Sequence, residues 1–104
     1  MAGDPYQARL WRARYRARMK AKARAWVTCY LMNHPCVDCG EPDPRVLEFD
    51  HIDPASKKHN ISRMVADARL VKLIEREVAK CEVRCANCHR RRTIDEGHAG
   101  HRNG

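Results

Sequence analysis

The sequence predicts a small α+β domain behind a long basic N-terminal helix, and three observations carry that prediction. Two Cys-x-x-Cys pairs, Cys36-Val-Asp-Cys39 and Cys85-Ala-Asn-Cys88, stand far apart in the chain. Two short β-prone runs, Val46–His51 and Cys81–Arg84, flank an intervening helical region. Ahead of both, from Pro5 to about Leu31, Arg and Ala dominate and larger apolar residues recur at roughly helical intervals. At 104 residues there is room for one small domain and an extension, and such a core is only marginally able to stabilise itself by burial. A staple is therefore expected.

In the helix, Leu10, Trp11, Tyr15, Met19, Trp26, Val27 and Tyr30 supply the spaced apolar positions. Pro5 suits a first helical turn, and Asn33-His34-Pro35 is a stop. The charge gathers here. Residues 1–34 hold eight Lys or Arg and one acid, residues 35–104 hold 13 basic and 12 acidic side chains, and the formal net charge is +8. Arg9, Arg12, Arg14, Arg16, Arg18, Lys20, Lys22 and Arg24 would repel one another in isolation, and a polyanion relieves that repulsion. Duplex nucleic acid attracts such a stripe by counterion release, without reading sequence. A merely solvated helix face is the plainer alternative. A membrane-surface helix fits less well, because large aliphatic residues are few.

Gly40 permits the turn that brings Cys36 and Cys39 onto one ion. Pro42-Asp-Pro44 reads as a loop, Asp53-Pro54 ends the first strand, and residues 55–60 are polar and loop-like. Ile61–Asp67 reads as a short helical turn, and Ala68–Ala79 as a better helix with Leu70, Val71, Leu73, Ile74 and Val78 on its apolar face. A last helix spans about Asn87 to Ile94, and the Gly- and His-containing tail, 96–104, reads as disordered. The chain thus divides into a basic helical arm (1–34), a domain (35–95) and the tail. No apolar run approaches a membrane span and no signal peptide is evident, so a soluble protein in a reducing compartment is expected.

Six cysteines could also form a secreted disulfide framework, but the pairing of four into two knuckles favours a closed tetrahedral zinc site at Cys36, Cys39, Cys85 and Cys88. Cys29 and Cys81 remain, and read as small buried apolar residues. Between the pairs lies Phe49-Asp50-His51-Ile52, and Cys88 runs directly into His89. Asp50 and His51 are adjacent at a strand end, so their side chains leave in different directions and suit different tasks. A carboxylate and an imidazole brought together can hold one divalent ion with positions left open for water or phosphate oxygen.

The phrases "CVDCG", "FDHIDP" and "CANCHRRRT" together resemble the HNH endonucleases, in particular the small HNH proteins of phages and prophages, over about residues 36–94. The resemblance implies a beta-beta-alpha metal core and a DNA phosphodiester hydrolase with weak sequence preference. It implies Asp50 and His89 as ligands of a catalytic divalent ion (Mg2+, Mn2+, Ni2+ or Zn2+) and His51 as general base. It further implies DNA as partner, a phage terminase as a second one and the bacterial cytoplasm as location; monomer and homodimer both stay open, since cutting both strands with one metal centre needs two sites or two visits and the long arm could pair.

Where the family has a middle Asn that orients the base, this chain has Lys80 and Cys81. Asn87 is the candidate for that role, a helix cap or thiolate partner being the alternative, and a backbone carbonyl could serve instead. Thr93 stands where some relatives place a further ligand. Arg90, Arg91 and Arg92 join Arg9, Arg12, Arg16, Lys20 and Arg24 as candidate phosphate contacts. A zinc-stabilised nucleic-acid-binding module without catalysis is the competing expectation.

Overall fold

The computed structural model describes residues 4–97. In chain order the elements are α1 (Pro5–Met32), β1 (Leu47–His51), α2 (Ile61–Ala66), α3 (Val71–Val78), β2 (Cys81–Cys85) and α4 (Ala86–Asp95), with single 3-10 turns at Pro44–Val46 and Pro54–Ser56. This is an α+β arrangement: a long N-terminal helix, an antiparallel strand pair followed by a helix, and a four-cysteine cluster joining the pair to that helix.

Both ends of α1 follow from local chemistry. Asp4 accepts a hydrogen bond from the Tyr6 backbone N–H at 3.0 Å, and Pro5 occupies a position whose N–H would have no helical partner. At the other end the Asn33 side chain donates to the Cys29 carbonyl at 2.8 Å, and the His34 ring stacks on Tyr30 with centroids 3.8 Å apart. Pro35 then precludes continuation. The apolar residues of α1 do not collect on one face, so no single stripe can be buried along its length. Only the second half packs: Ala23 and Leu31 are buried, with Trp26, Val27 and Tyr30 against the core. The first half projects, and Trp11, 64% exposed, stacks on Tyr15 rather than on the domain.

The core has two parts. One gathers Leu31, Cys36, Leu47, Val83, Cys85 and Cys88; the other gathers Ala23, Ile61, Met64, Ile74 and Val78. Val27, Tyr30 and Phe49 touch both and so join them. Strands β1 and β2 pair antiparallel with Leu47 opposite Cys85, Phe49 opposite Val83 and His51 opposite Cys81. That register sets the second cysteine knuckle beside the start of β1 and leaves the end of β1 for the polar residues.

Several boundaries differ from the sequence expectation for visible reasons. Strand β1 starts at Leu47, because Val46 closes the 3-10 turn that Asp43 caps through the Arg45 N–H. Helix α3 starts at Val71 rather than Ala68, because Ala68 is left-handed at φ +57°. Its N–H bonds the Val65 carbonyl while that of Arg69 bonds the Met64 carbonyl, a Schellman closure of α2 with alanine where glycine is usual. Cys29 is exposed, against the expectation of burial, whereas Cys81 is half-buried and burial pushes its thiol up to about 11. The tail read as disordered, with His98 and His101, lies outside the described residues from 98 onward; Glu96 and Gly97 still close the end of α4. No helix among the described residues is long and apolar enough to cross a membrane.

Candidate metal centre and the polar cleft beside it

The first knuckle is a turn held by its own backbone. The Cys36 N–H donates to the Glu41 carbonyl and the Gly40 N–H to the Cys36 carbonyl, at 3.0 and 2.9 Å, with Gly40 at φ +79°. The Val37 N–H bonds the Val83 carbonyl at 2.9 Å, which fixes this turn to β2. The second knuckle straddles the end of β2 and the first turn of α4, where the Cys85 sulfur accepts from the Cys88 N–H at 3.4 Å.

All four sulfurs of Cys36, Cys39, Cys85 and Cys88 lie within 4.8 Å of one another, and Cys39 and Cys85 are 3.7 Å apart. Four sulfurs about 2.3 Å from one tetrahedral ion stand about 3.8 Å from each other, so the set fits a structural zinc. Burial pushes the Cys36 thiol up, but backbone N–H groups of Cys39, Cys85 and Asp38 outweigh it and bring it down to about 6. Cys88, hydrogen-bonded to Cys85 and desolvated, is pushed up to about 12. Four thiolates at these distances need a cation among them, and zinc would supply folding energy that the small core lacks.

Beside this centre, Glu48 and Asp50 reach from β1 toward α4. The His89 ring lies between them, Nδ1 2.7 Å from Glu48 Oε1 and Nε2 3.5 Å from Asp50 Oδ1. The carboxylate on Nδ1 fixes the ring so that Nε2 points at Asp50. Asp50 is buried and ionic on its other oxygen: Oδ2 accepts from Arg84 at 2.9 Å and from Arg92 at 2.7 Å. Among the described residues the four cysteines are the one group of three or more candidate ligand side chains, so Asp50 and His89 stand as a two-residue pair.

His51 leaves β1 in another direction. Its Nε2 is 2.8 Å from Oε2 of Glu77 on α3. Glu77 therefore holds the ring; Asn87 is exposed in the first turn of α4, whose cap is Cys85, and Asn60 caps α2. Thr93 is turned inward, its hydroxyl donating to the His89 carbonyl at 3.0 Å.

His51 and His89 share a cleft of about 390 Å³ whose walls include Glu48, Phe49, Lys57 and Asn60, with Val27 and Leu31 of α1 along one side. Asp50 is not in its lining; it approaches through His89.

Of the candidate phosphate contacts, Arg92 has internal partners. Besides Asp50 it pairs with Glu96 at 2.8 Å and donates to the carbonyls of His51 and Ile52. Arg90 and Arg91 are exposed, as are Arg9, Arg12, Arg16 and Arg24, with Lys20 half-buried. Helix α1 contains no acid, and among the described residues no ion pair involves it.

Sequence reasoning missed Glu48, Glu77 and Arg84. Two of them left a signal: Glu48 alternates with Asp50 on one strand, and Glu77 stands between Ile74 and Val78 on the apolar face of α3, where a charge needs a partner. Comparison of the chain with protein-family models, with curated proteins and with solved structures finds no match.

Proposed function

We propose that this protein is an HNH-type endonuclease that hydrolyses DNA phosphodiester bonds with one divalent ion held by Asp50 and His89. The observation that carries the reading is the approach of His89 Nε2 to Asp50 Oδ1 at 3.5 Å, with His51 in the same cleft and the cysteine cluster immediately behind. A bound ion would supply electrostatic stabilisation of the charge that develops on the phosphoryl group and the leaving oxygen.

The chain's own residues do the rest. Glu48 orients His89; Arg84 and Arg92 bind Oδ2 of Asp50 and leave its Oδ1 turned toward His89. His51, bonded through Nε2, keeps Nδ1 for accepting a proton from the attacking water. The cations of α1, which make no ion pair among the described residues, would hold the polyanion by counterion release.

The test is incubation of the zinc-loaded protein with supercoiled plasmid and Mg2+, Mn2+ or Ni2+. Nicked or linear product is expected, and His51→Ala should abolish it with the zinc content unchanged. Equal cleavage by that variant would sink the assignment.

One observation favours a second reading, a zinc-stabilised nucleic-acid-binding module without catalysis. Two guanidinium groups already share Asp50 Oδ2, which lowers the attraction of that carboxylate for a dication. Tight, salt-sensitive DNA binding with no cleavage under any of these ions would select it.

A further inference from the structure

Helix α3 is short and amphipathic, and its inward face carries Ile74, Val78 and one acid, Glu77, which is 3% exposed. A carboxylate so deeply placed persists only where its lone pairs are taken up. Oε2 accepts from the ring of His51 at 2.8 Å, from the Lys58 backbone N–H at 3.0 Å and from the His59 N–H at 3.3 Å. Oε1 meets the Lys80 ammonium at 3.0 Å, and that ammonium also reaches the Ser56 carbonyl at 3.0 Å. One side chain thus ties α3 to the end of β1 and to the segment from 56 to 59, next to the Lys57 and Asn60 of the cleft wall.

The protonation of this carboxylate decides the state of the ring. Burial pushes Glu77 up, but the bonds from His51, the two backbone N–H groups and Lys80 outweigh it and hold it down at about 2. An ionised carboxylate only accepts, so Nε2 of His51 must be the nitrogen that bears hydrogen. In the neutral ring the lone pair is then left on Nδ1.

We propose that Glu77 is the positioning residue of His51: it fixes the Nε2–H tautomer, so that Nδ1 is the basic nitrogen, and it anchors the cleft wall through Lys58 and His59. The proposal deepens the nuclease reading and rests on it for its catalytic consequence, while its structural half stands apart from activity. Glu77 does the work that elsewhere falls to a middle asparagine, from an element that the Lys80–Cys81 stretch only follows.

The experiment uses the zinc-loaded full chain and two variants. Glu77→Gln keeps an acceptor oxygen at the same reach; Glu77→Met keeps the bulk and removes the acceptor. The 15N shifts of the neutral His51 ring are expected to show hydrogen on Nε2 in the wild type and in Glu77→Gln, and a mixture of tautomers in Glu77→Met. In the plasmid assay Glu77→Met should lower kcat by roughly tenfold or more with KM nearly unchanged, since a positioned base contributes about 10²–10⁴-fold, and Glu77→Gln should recover most of it.

A wild-type ring carrying hydrogen on Nδ1 would overturn the proposal, as would a Glu77→Met protein with wild-type tautomer and kcat. If the wild type cleaves nothing, the nuclease reading fails and the tautomer measurement still decides the role of Glu77. If Glu77→Met does not fold, the wild-type and Glu77→Gln spectra decide it.

Discussion

Alternate residues of β1 are held by different physics. Glu48 and Asp50 face α4 through charge, in a lattice of His89, Arg84 and Arg92 set beside the cysteine cluster. Phe49 and His51 face the helices, where Ile74, Val78 and Met64 exclude water and a single carboxylate, Glu77, takes the polar groups. The same imidazole–carboxylate pair occurs on both sides: the side chains of His51 and Glu77 are 9% and 4% exposed, those of His89 and Glu48 34% and 49%. Burial, not chemistry, separates them. A buried charged partner cannot be removed without stranding the other, whereas water readily replaces an exposed one.

The largest expected effect attacks the α4 side. Cys85→Ser, or a strong chelator, should abolish cooperative unfolding of the domain, because binding of a structural zinc is worth about 10–16 kcal/mol and here joins both knuckles; circular dichroism and zinc release during titration check it. Next, Glu77→Ala should destabilise by about 3–5 kcal/mol, leaving His51 and two backbone N–H groups unanswered and Lys80 with the Ser56 carbonyl alone. Glu48→Ala should cost no more than about 1 kcal/mol. Denaturant midpoints of the zinc-loaded proteins decide between them, and equal losses would break the comparison.

The contrast also has a pH signature. Glu77 sits at about 2 against an ordinary 4.5, so the unfolded chain binds the extra proton first. Its contribution is complete above about 4.5 and is lost as pH falls from there toward 2. Wild type should therefore lose its stability advantage over Glu77→Gln through that window, a convergence that unfolding at fixed zinc would show.

On the arm, replacing Arg9, Arg12 and Arg16 by Gln should leave the unfolding midpoint unchanged and reduce the slope of log affinity for DNA against log salt by about 2–3. The smallest change, Ala68→Gly, should stabilise by up to about 1 kcal/mol, since glycine enters the left-handed region without strain.

The knuckles, the two strands and the basic helix were legible because each is written in neighbouring residues: a cysteine spacing, a β-prone run, a string of arginines between apolar positions. What was not legible depends on residues brought together by folding. His51 and Glu77 are 26 positions apart, and Arg92 meets Asp50 across 42. Thus the bonds of Arg92 to Asp50, and of Glu77 to His51, could not be read from the neighbouring residues, where Arg92 stands as a candidate phosphate contact and Asn87 as the asparagine nearest the site. The left-handed Ala68 misplaced the start of α3, because alanine gives no hint of a conformation usually marked by glycine.

Helix α1 passes from solvent into the core without a break, and its Val27 and Leu31 are themselves cleft wall. Arg9 stands 18 residues ahead of Val27, about 27 Å at 1.5 Å per residue. A continuous rod with no joint along that span is a ruler: whatever its outer turns grip, the cleft is held at a set distance and heading from it.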